Sequence, residues 1–115
     1  VMEKPQVAMV GLAVMGSNLI RNIESRGYSC AVYNRSADVT EKFMSDNQGK
    51  KFVAAGSPQE LVKCMKAPRM ILIMVKAGAP VDAVIDSLLP LVDKGDIIAD
   101  LGNSYFKLPQ QDKSP

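Results

Sequence analysis

Short apolar runs alternate with amphipathic stretches along this chain, and the alternation recurs five times. Gln6–Val10, Ser29–Tyr33, Phe52–Ala54, Met70–Val75 and Ile97–Asp100 read as strands. The run Met70-Ile71-Leu72-Ile73-Met74-Val75 has no polar interruption, which suits a central parallel strand covered on both faces. Between the strands the apolar period lengthens to that of a helix. Met15–Arg26 carries Met15, Leu19 and Ile23 at four-residue spacing, and Gly27 suits the position just past its end. Ala37–Asp46 turns Val39, Phe43 and Met44 inward, with Ser36 placed to cap it. Ser57-Pro58-Gln59-Glu60 starts a third helix with a cap, a proline at the first position and a capping-box glutamate. That helix ends before Pro68, because proline disfavours the helical conformation in the residue preceding it. Pro80–Leu89 places Val81, Val84, Ile85 and Leu88 on one stripe, and Pro90 kinks or restarts it. Lys94-Gly95-Asp96 then turns the chain into the last strand.

Strands and helices alternating at these lengths predict an α/β fold, a parallel sheet with right-handed crossovers and helices on both faces. The expected strand order is 3-2-1-4-5, with the fifth strand left as an unprotected edge. Residues 1–107 form one domain in this reading, and the polar stretch from Lys107, residues 108–115 above all, is an irregular tail. At 115 residues, 47% apolar and 23% charged, the chain is long enough for a real core. A net charge of +2 gives no footing for nucleic acid or an anionic membrane. No apolar run approaches a membrane span or a signal core, which predicts a cytoplasmic protein. Val1 ahead of Met2 fits an internal start. Cys30 and Cys64 lack C-x-x-C spacing and read as reduced, buried thiols. Histidine is absent, which removes the commonest general base, the commonest zinc ligand and every histidine-containing triad; no metal site is expected.

Chemistry concentrates where the first strand hands over to its helix. Gly11-Leu12-Ala13-Val14-Met15-Gly16 follows Val7-Ala8-Met9-Val10 directly. Glycine permits a tight turn and a close backbone approach to phosphate, and the helix start offers N–H groups and a positive dipole end. In this context Gly11-x-Ala13-x-x-Gly16 reads as a dinucleotide-binding turn of Rossmann type, with alanine where the usual fingerprint has its second glycine. The bland alternative is a tight turn that binds nothing. Asn34 lies 23 residues beyond Gly11, close to the ~20 at which an NAD site places a carboxylate for the ribose 2′-hydroxyl. Here Asn34, Arg35 and Ser36 stand instead, an amide, a guanidinium and a hydroxyl. A carboxylate would repel a 2′-phosphate, whereas this trio would hold one, which favours NADP over NAD. The alternative is that Arg35 is a solvated loop charge. Lys76-Ala77-Gly78 after the fourth strand, and Asn103 and Ser104 after the fifth, fall at the same end of the sheet, where open α/β folds bind ligands. The bland alternative for Lys76 is a solvated lysine in a turn, and Asn103 and Ser104, taken alone, read equally well as an ordinary turn.

These motifs together resemble, in order and spacing, the N-terminal part of the 6-phosphogluconate dehydrogenase family, the decarboxylating enzymes of the pentose phosphate pathway. Gly11–Gly16, Asn22–Tyr28, Asn34–Ser36, Met74–Gly78, Asp93–Ile98 and Gly102–Ser104 carry the likeness, which covers residues 5–107. The resemblance implies that Gly11, Leu12, Ala13, Val14, Met15 and Gly16 cradle the NADP pyrophosphate, and that Asn34, Arg35 and Ser36 bind the adenosine 2′-phosphate. It implies that Val75, Lys76 and Ala77 line the cofactor cleft and that Asn103 contacts both nicotinamide and sugar acid. Family members oxidise 6-phosphogluconate by hydride transfer to NADP and release CO₂ to leave ribulose 5-phosphate; they are expected to be homodimers. The resemblance also puts the catalytic lysine, the glutamate acid and the Ser-Gly-Gly loop further along than residue 115. This chain is therefore expected to bind cofactor without turnover. Leu101 departs from the family, which has glycine there; if that position needs a positive φ or a close cofactor approach, a leucine strains or blocks it. The β-hydroxyacid dehydrogenases share the fold and a similar glycine loop. A non-catalytic nucleotide-binding or interaction module, and a partly folded fragment, are the remaining readings.

Overall fold

Ala8, Met9, Ala31, Val32, Ile71 and Ile73 are fully buried, as consecutive strand residues must be when helices cover both faces of a sheet. The structure, a computed structural model, describes residues 4–74, 81–101 and 105–107. Its strands are β1 (Val7–Val10), β2 (Cys30–Tyr33), β3 (Phe52–Ala54), β4 (Met70–Ile73), β5 (Ile97–Asp100) and β6 (Tyr105–Lys107). Its helices are α1 (Val14–Ser25), α2 (Ala37–Asp46), α3 (Pro58–Lys63) and α4 (Val81–Leu88), with a 3-10 turn at Leu89–Leu91. The sheet order is β3-β2-β1-β4-β5-β6. β1 pairs in parallel with β2 on one side and with β4 on the other, so the order reverses beside β1, above the glycine turn.

Side-chain alternation along the strands divides the core into two layers. Ala8, Val10, Ala31, Ile71, Ile73 and Ile98 pack with Leu61 and Val62 of α3 and with Ile85 and Leu88 of α4. Met9, Cys30, Val32, Leu72 and Ala99 pack with Ile20 of α1 and Phe43 of α2. Phe43 meets Phe52 edge-on, with ring centroids 4.8 Å apart. The start of α3 is built much as its sequence implies. Ser57 Oγ accepts the Glu60 N–H at 3.1 Å. The Glu60 carboxylate reaches back to the Gly56 N–H at 2.8 Å, one residue earlier than the standard capping box.

Three local expectations give way to packing. Met15 does not face the core; it is 70% exposed, and the buried positions of α1 are Gly16, Ser17 and Ile20. A Cβ on Gly16 would overlap the Gly11 carbonyl oxygen, so α1 turns this glycine toward the strand end and Met15, one position back, outward. In α2, Val39 is half-exposed and Thr40 is buried in its place. Finally, β5 is not the sheet edge. Tyr105–Lys107 adds an antiparallel strand, pairing Ile98 with Lys107 and Asp100 with Tyr105. A run of three residues carries no readable period, and of this segment only Lys107 falls in the stretch expected to be irregular.

At the opposite end of the sheet from the glycine turn, Asp96 is wholly buried. It accepts the Arg69 N–H at 2.7 Å, the Asp93 N–H at 2.8 Å and Arg69 Nη1 at 2.9 Å. Burial alone would raise its pKa, but these donors and the guanidinium charge outweigh it and hold the carboxyl below its ordinary value.

Candidate functional site

Gly11 ends β1 with φ of 102°, a left-handed conformation that only glycine adopts without strain. Its N–H donates to the Tyr33 carbonyl at 2.9 Å. The next N–H, of Leu12, donates to Asn34 Oδ1 at 2.8 Å. Two successive hydrogen bonds thus join the glycine turn to the C-terminal end of β2. From below, Ser17 Oγ donates to the Leu12 carbonyl at 2.7 Å. Ala13 occupies the N-cap of α1 and supplies no side-chain cap. The first-turn N–H groups of α1 therefore point out of the turn with no side chain across them, the arrangement that receives an anion. Val14 and Met15 stand beside them, 76% and 70% exposed, an apolar rim next to a polar floor.

Asn34 is more occupied than its sequence position suggests. Besides holding Leu12, its Nδ2 donates to the Ser36 carbonyl at 3.4 Å, and its own N–H donates to Thr40 Oγ1 at 3.1 Å. Its amide is a brace within the site. Arg35 and Ser36 are exposed. Ser36 sits at the N-cap of α2 as expected, yet its hydroxyl makes no cap hydrogen bond. Arg35 borders a cleft of about 220 Å³ formed with Asn34, Ala37, Thr40, Ala54 and Gly56. Glu41 is the one carboxylate on the cleft wall. A second groove, of about 340 Å³, runs between α1 and α2 from Ala13 to Asp46. Sequence reasoning missed Thr40, since a threonine inside an amphipathic helix has no signal apart from its place three positions into α2.

Leu101 is tied to the end of β4. Its N–H donates to the Ile73 carbonyl at 2.8 Å, and its half-buried side chain packs against the α1–α2 layer. Val75, Lys76, Ala77, Asn103 and Ser104, expected to complete the site, lie outside the described residues. Cys30 and Cys64 are both free thiols; Cys30 is buried and Cys64 half-buried at the end of α3. Among the described residues no group of three or more acidic, cysteine or histidine side chains could hold a metal ion. No described helix is long and apolar enough to cross a membrane.

The chain's likeness to known proteins agrees with this geometry. A family model described as the NAD binding domain of 6-phosphogluconate dehydrogenase matches residues 6–113. The decarboxylating 6-phosphogluconate dehydrogenase of Klebsiella pneumoniae is 55% identical over 106 residues, which is 92% of this chain and 23% of that protein. The NADP(+)-dependent decarboxylating enzyme of Bacillus subtilis is 52% identical over 110 residues, 96% of this chain and 24% of that protein. Among solved structures, 6-phosphogluconate dehydrogenase of Plasmodium falciparum, studied with its cofactor NADP+ and its substrate 6-phosphogluconate, superposes with a TM-score of 0.77 at 38% identity. That superposition covers 87% of this chain and 22% of the Plasmodium protein. The chain thus spans about a quarter of the length of these relatives.

Proposed function

Because this chain belongs to the family of the NAD binding domain of 6-phosphogluconate dehydrogenase, we propose that it is the cofactor-holding part of such an enzyme and takes NADP in preference to NAD. The observation that carries the preference is at the end of β2. Where an NAD site has a carboxylate, this chain has Asn34, whose amide oxygen is committed to the Leu12 N–H. Directly after it, Arg35 and Ser36 are exposed beside an open cleft. A 2′-phosphate placed there meets a guanidinium fork and a hydroxyl, and no carboxylate from the strand end.

The residues of the turn divide the work of binding. Gly11 lets the chain reverse, Gly16 lets α1 approach the strand end, and the N–H groups from Ala13 to Gly16 border the space for a pyrophosphate. Val14 and Met15 offer exposed apolar surface to the flat part of a ligand and keep water from it. When bound, NADP supplies the hydride acceptor, and protein groups orient it. Val75, Lys76 and Ala77 complete the cleft in this reading, and Asn103 reaches both nicotinamide and sugar acid. The whole enzyme oxidises and decarboxylates 6-phosphogluconate as a cytoplasmic homodimer, with residues 1–107 as its cofactor domain. The 115-residue chain by itself binds cofactor and does not turn over.

Calorimetric titration of NADP and of NAD into the purified chain tests the proposal. NADP is expected to bind at least about tenfold more tightly, a difference of roughly 1.4 kcal/mol. Arg35→Glu is expected to erase or reverse that preference while leaving NAD binding in place. Equal affinities in the parent chain would remove the argument from Arg35.

A further inference from the structure

We propose that Thr40, which lies on α2 outside the glycine turn and the 34–36 trio, is a positioning residue for recognition of the 2′-phosphate. The inference rests on the NADP reading above and extends it to a residue that acts through the backbone of another. Thr40 is buried, and its Oγ1 accepts the Asn34 N–H at 3.1 Å. That bond fixes the residue at which β2 ends and the Arg35–Ser36 turn begins. Asn34 passes the constraint on in both directions. Its Oδ1 holds the Leu12 N–H at 2.8 Å, and its Nδ2 donates to the Ser36 carbonyl at 3.4 Å. A side chain one turn into α2 thus sets how Arg35 and Ser36 are presented to the cleft that Thr40 itself helps to line.

The partition of effects follows from this wiring. Gly11 is held to Tyr33 by a separate hydrogen bond, and Leu12 is also held through Ser17. The pyrophosphate turn therefore has anchors that do not pass through Thr40. The Ser36 carbonyl is tied to α2 by the Val39 N–H at 3.1 Å, and Oγ1 of Thr40 adds the side-chain anchor at the Asn34 end of the turn. Thr40→Val keeps the shape of the side chain and removes the acceptor, leaving the Asn34 N–H without it. The turn relaxes, and the backbone that presents Arg35 to the cleft loses a tether. One neutral hydrogen bond has a net worth that corresponds to as much as about a tenfold change in an equilibrium.

NADP and NAD are titrated calorimetrically into the full 115-residue chain and into Thr40→Val, Thr40→Ala and Thr40→Ser, with thermal unfolding followed in parallel. Thr40→Val and Thr40→Ala should weaken NADP by about tenfold and NAD by less than about twofold. Thr40→Ser keeps the hydroxyl and should restore the NADP:NAD ratio. A purely structural threonine would lower the melting temperature and weaken both nucleotides alike. An unchanged NADP:NAD ratio in the folded Val or Ala variant, or failure of Thr40→Ser to restore it, would overturn the proposal. Loss of NADP binding in the parent chain would be a different result, sinking the NADP reading and this one with it.

Discussion

Gly16 shows how far a single residue decides this site. A methyl group there would occupy the space of the Gly11 carbonyl oxygen, so α1 and the strand end would have to part. Gly16→Ala is expected to cost about 1–3 kcal/mol of stability, as overpacking of a close contact does. It should also abolish cofactor binding, because the carbonyl it displaces belongs to the turn; a urea titration paired with calorimetry checks both. Cys30 is a second residue-scale case. Burial first, and the nearby Glu24 charge second, push its thiol up to about 12. It should resist alkylation at pH 8 in the folded chain and react fully once urea unfolds it, as a mass-spectrometric count of modified thiols would show. The tight turn at Gly11 and the burial of Cys30 were legible from residue type and spacing, whereas Cys64, expected to be buried, is half-buried at the end of α3. The engagement of Asn34 was not, because sequence position places an amide at the end of β2 without showing which of its atoms are already bonded.

Elements were legible where local chemistry and packing agree. The bounds expected for α2, β3 and β5 are those observed, since each has turn residues on both sides and an apolar period between them. The same agreement predicts that Ser57→Ala costs α3 about 1 kcal/mol, the usual worth of an N-cap, measurable as a lowered urea midpoint. On α1 only Met15 departs from the expected face: Leu19 and Ile23 pack against the core layer, while the approach of Gly11 turns Gly16 inward and Met15 out. Between Arg69 and β5, Asp96 ties an irregular segment into the sheet. Its carboxyl is held below the ordinary value in the folded chain, so it binds its proton less readily folded than unfolded. Its contribution to stability is therefore present above the ordinary carboxylate pKa of about 4 and is lost as pH falls below that through the folded value. Asp96→Asn should flatten stability against pH in this acid range and weaken the fold at neutral pH, where Arg69 would lose its buried partner and keep only the exposed Asp93 at 3.3 Å; chemical denaturation at a series of pH values reads both.

At the scale of the whole molecule, the sheet brings three separate stretches of chain to one edge: the turn after β1, the Asn34–Ser36 segment after β2 and the end of β5. Sequence alternation made the order of the first five strands readable, while β6 was hidden by its brevity. The chain covers about a quarter of its relatives, so the account expects a binding unit, with no NADPH formed from NADP and 6-phosphogluconate in a spectrophotometric assay of this chain alone. The most direct test of the central claim follows the backbone amides by NMR while NADP, and separately NAD, is added. NADP should shift the amides of Gly11–Gly16 together with Arg35 and Ser36, whereas NAD should shift the first group and leave the second nearly still. Shifts confined to the α3–α4 side, or identical patterns for the two nucleotides, would contradict the account.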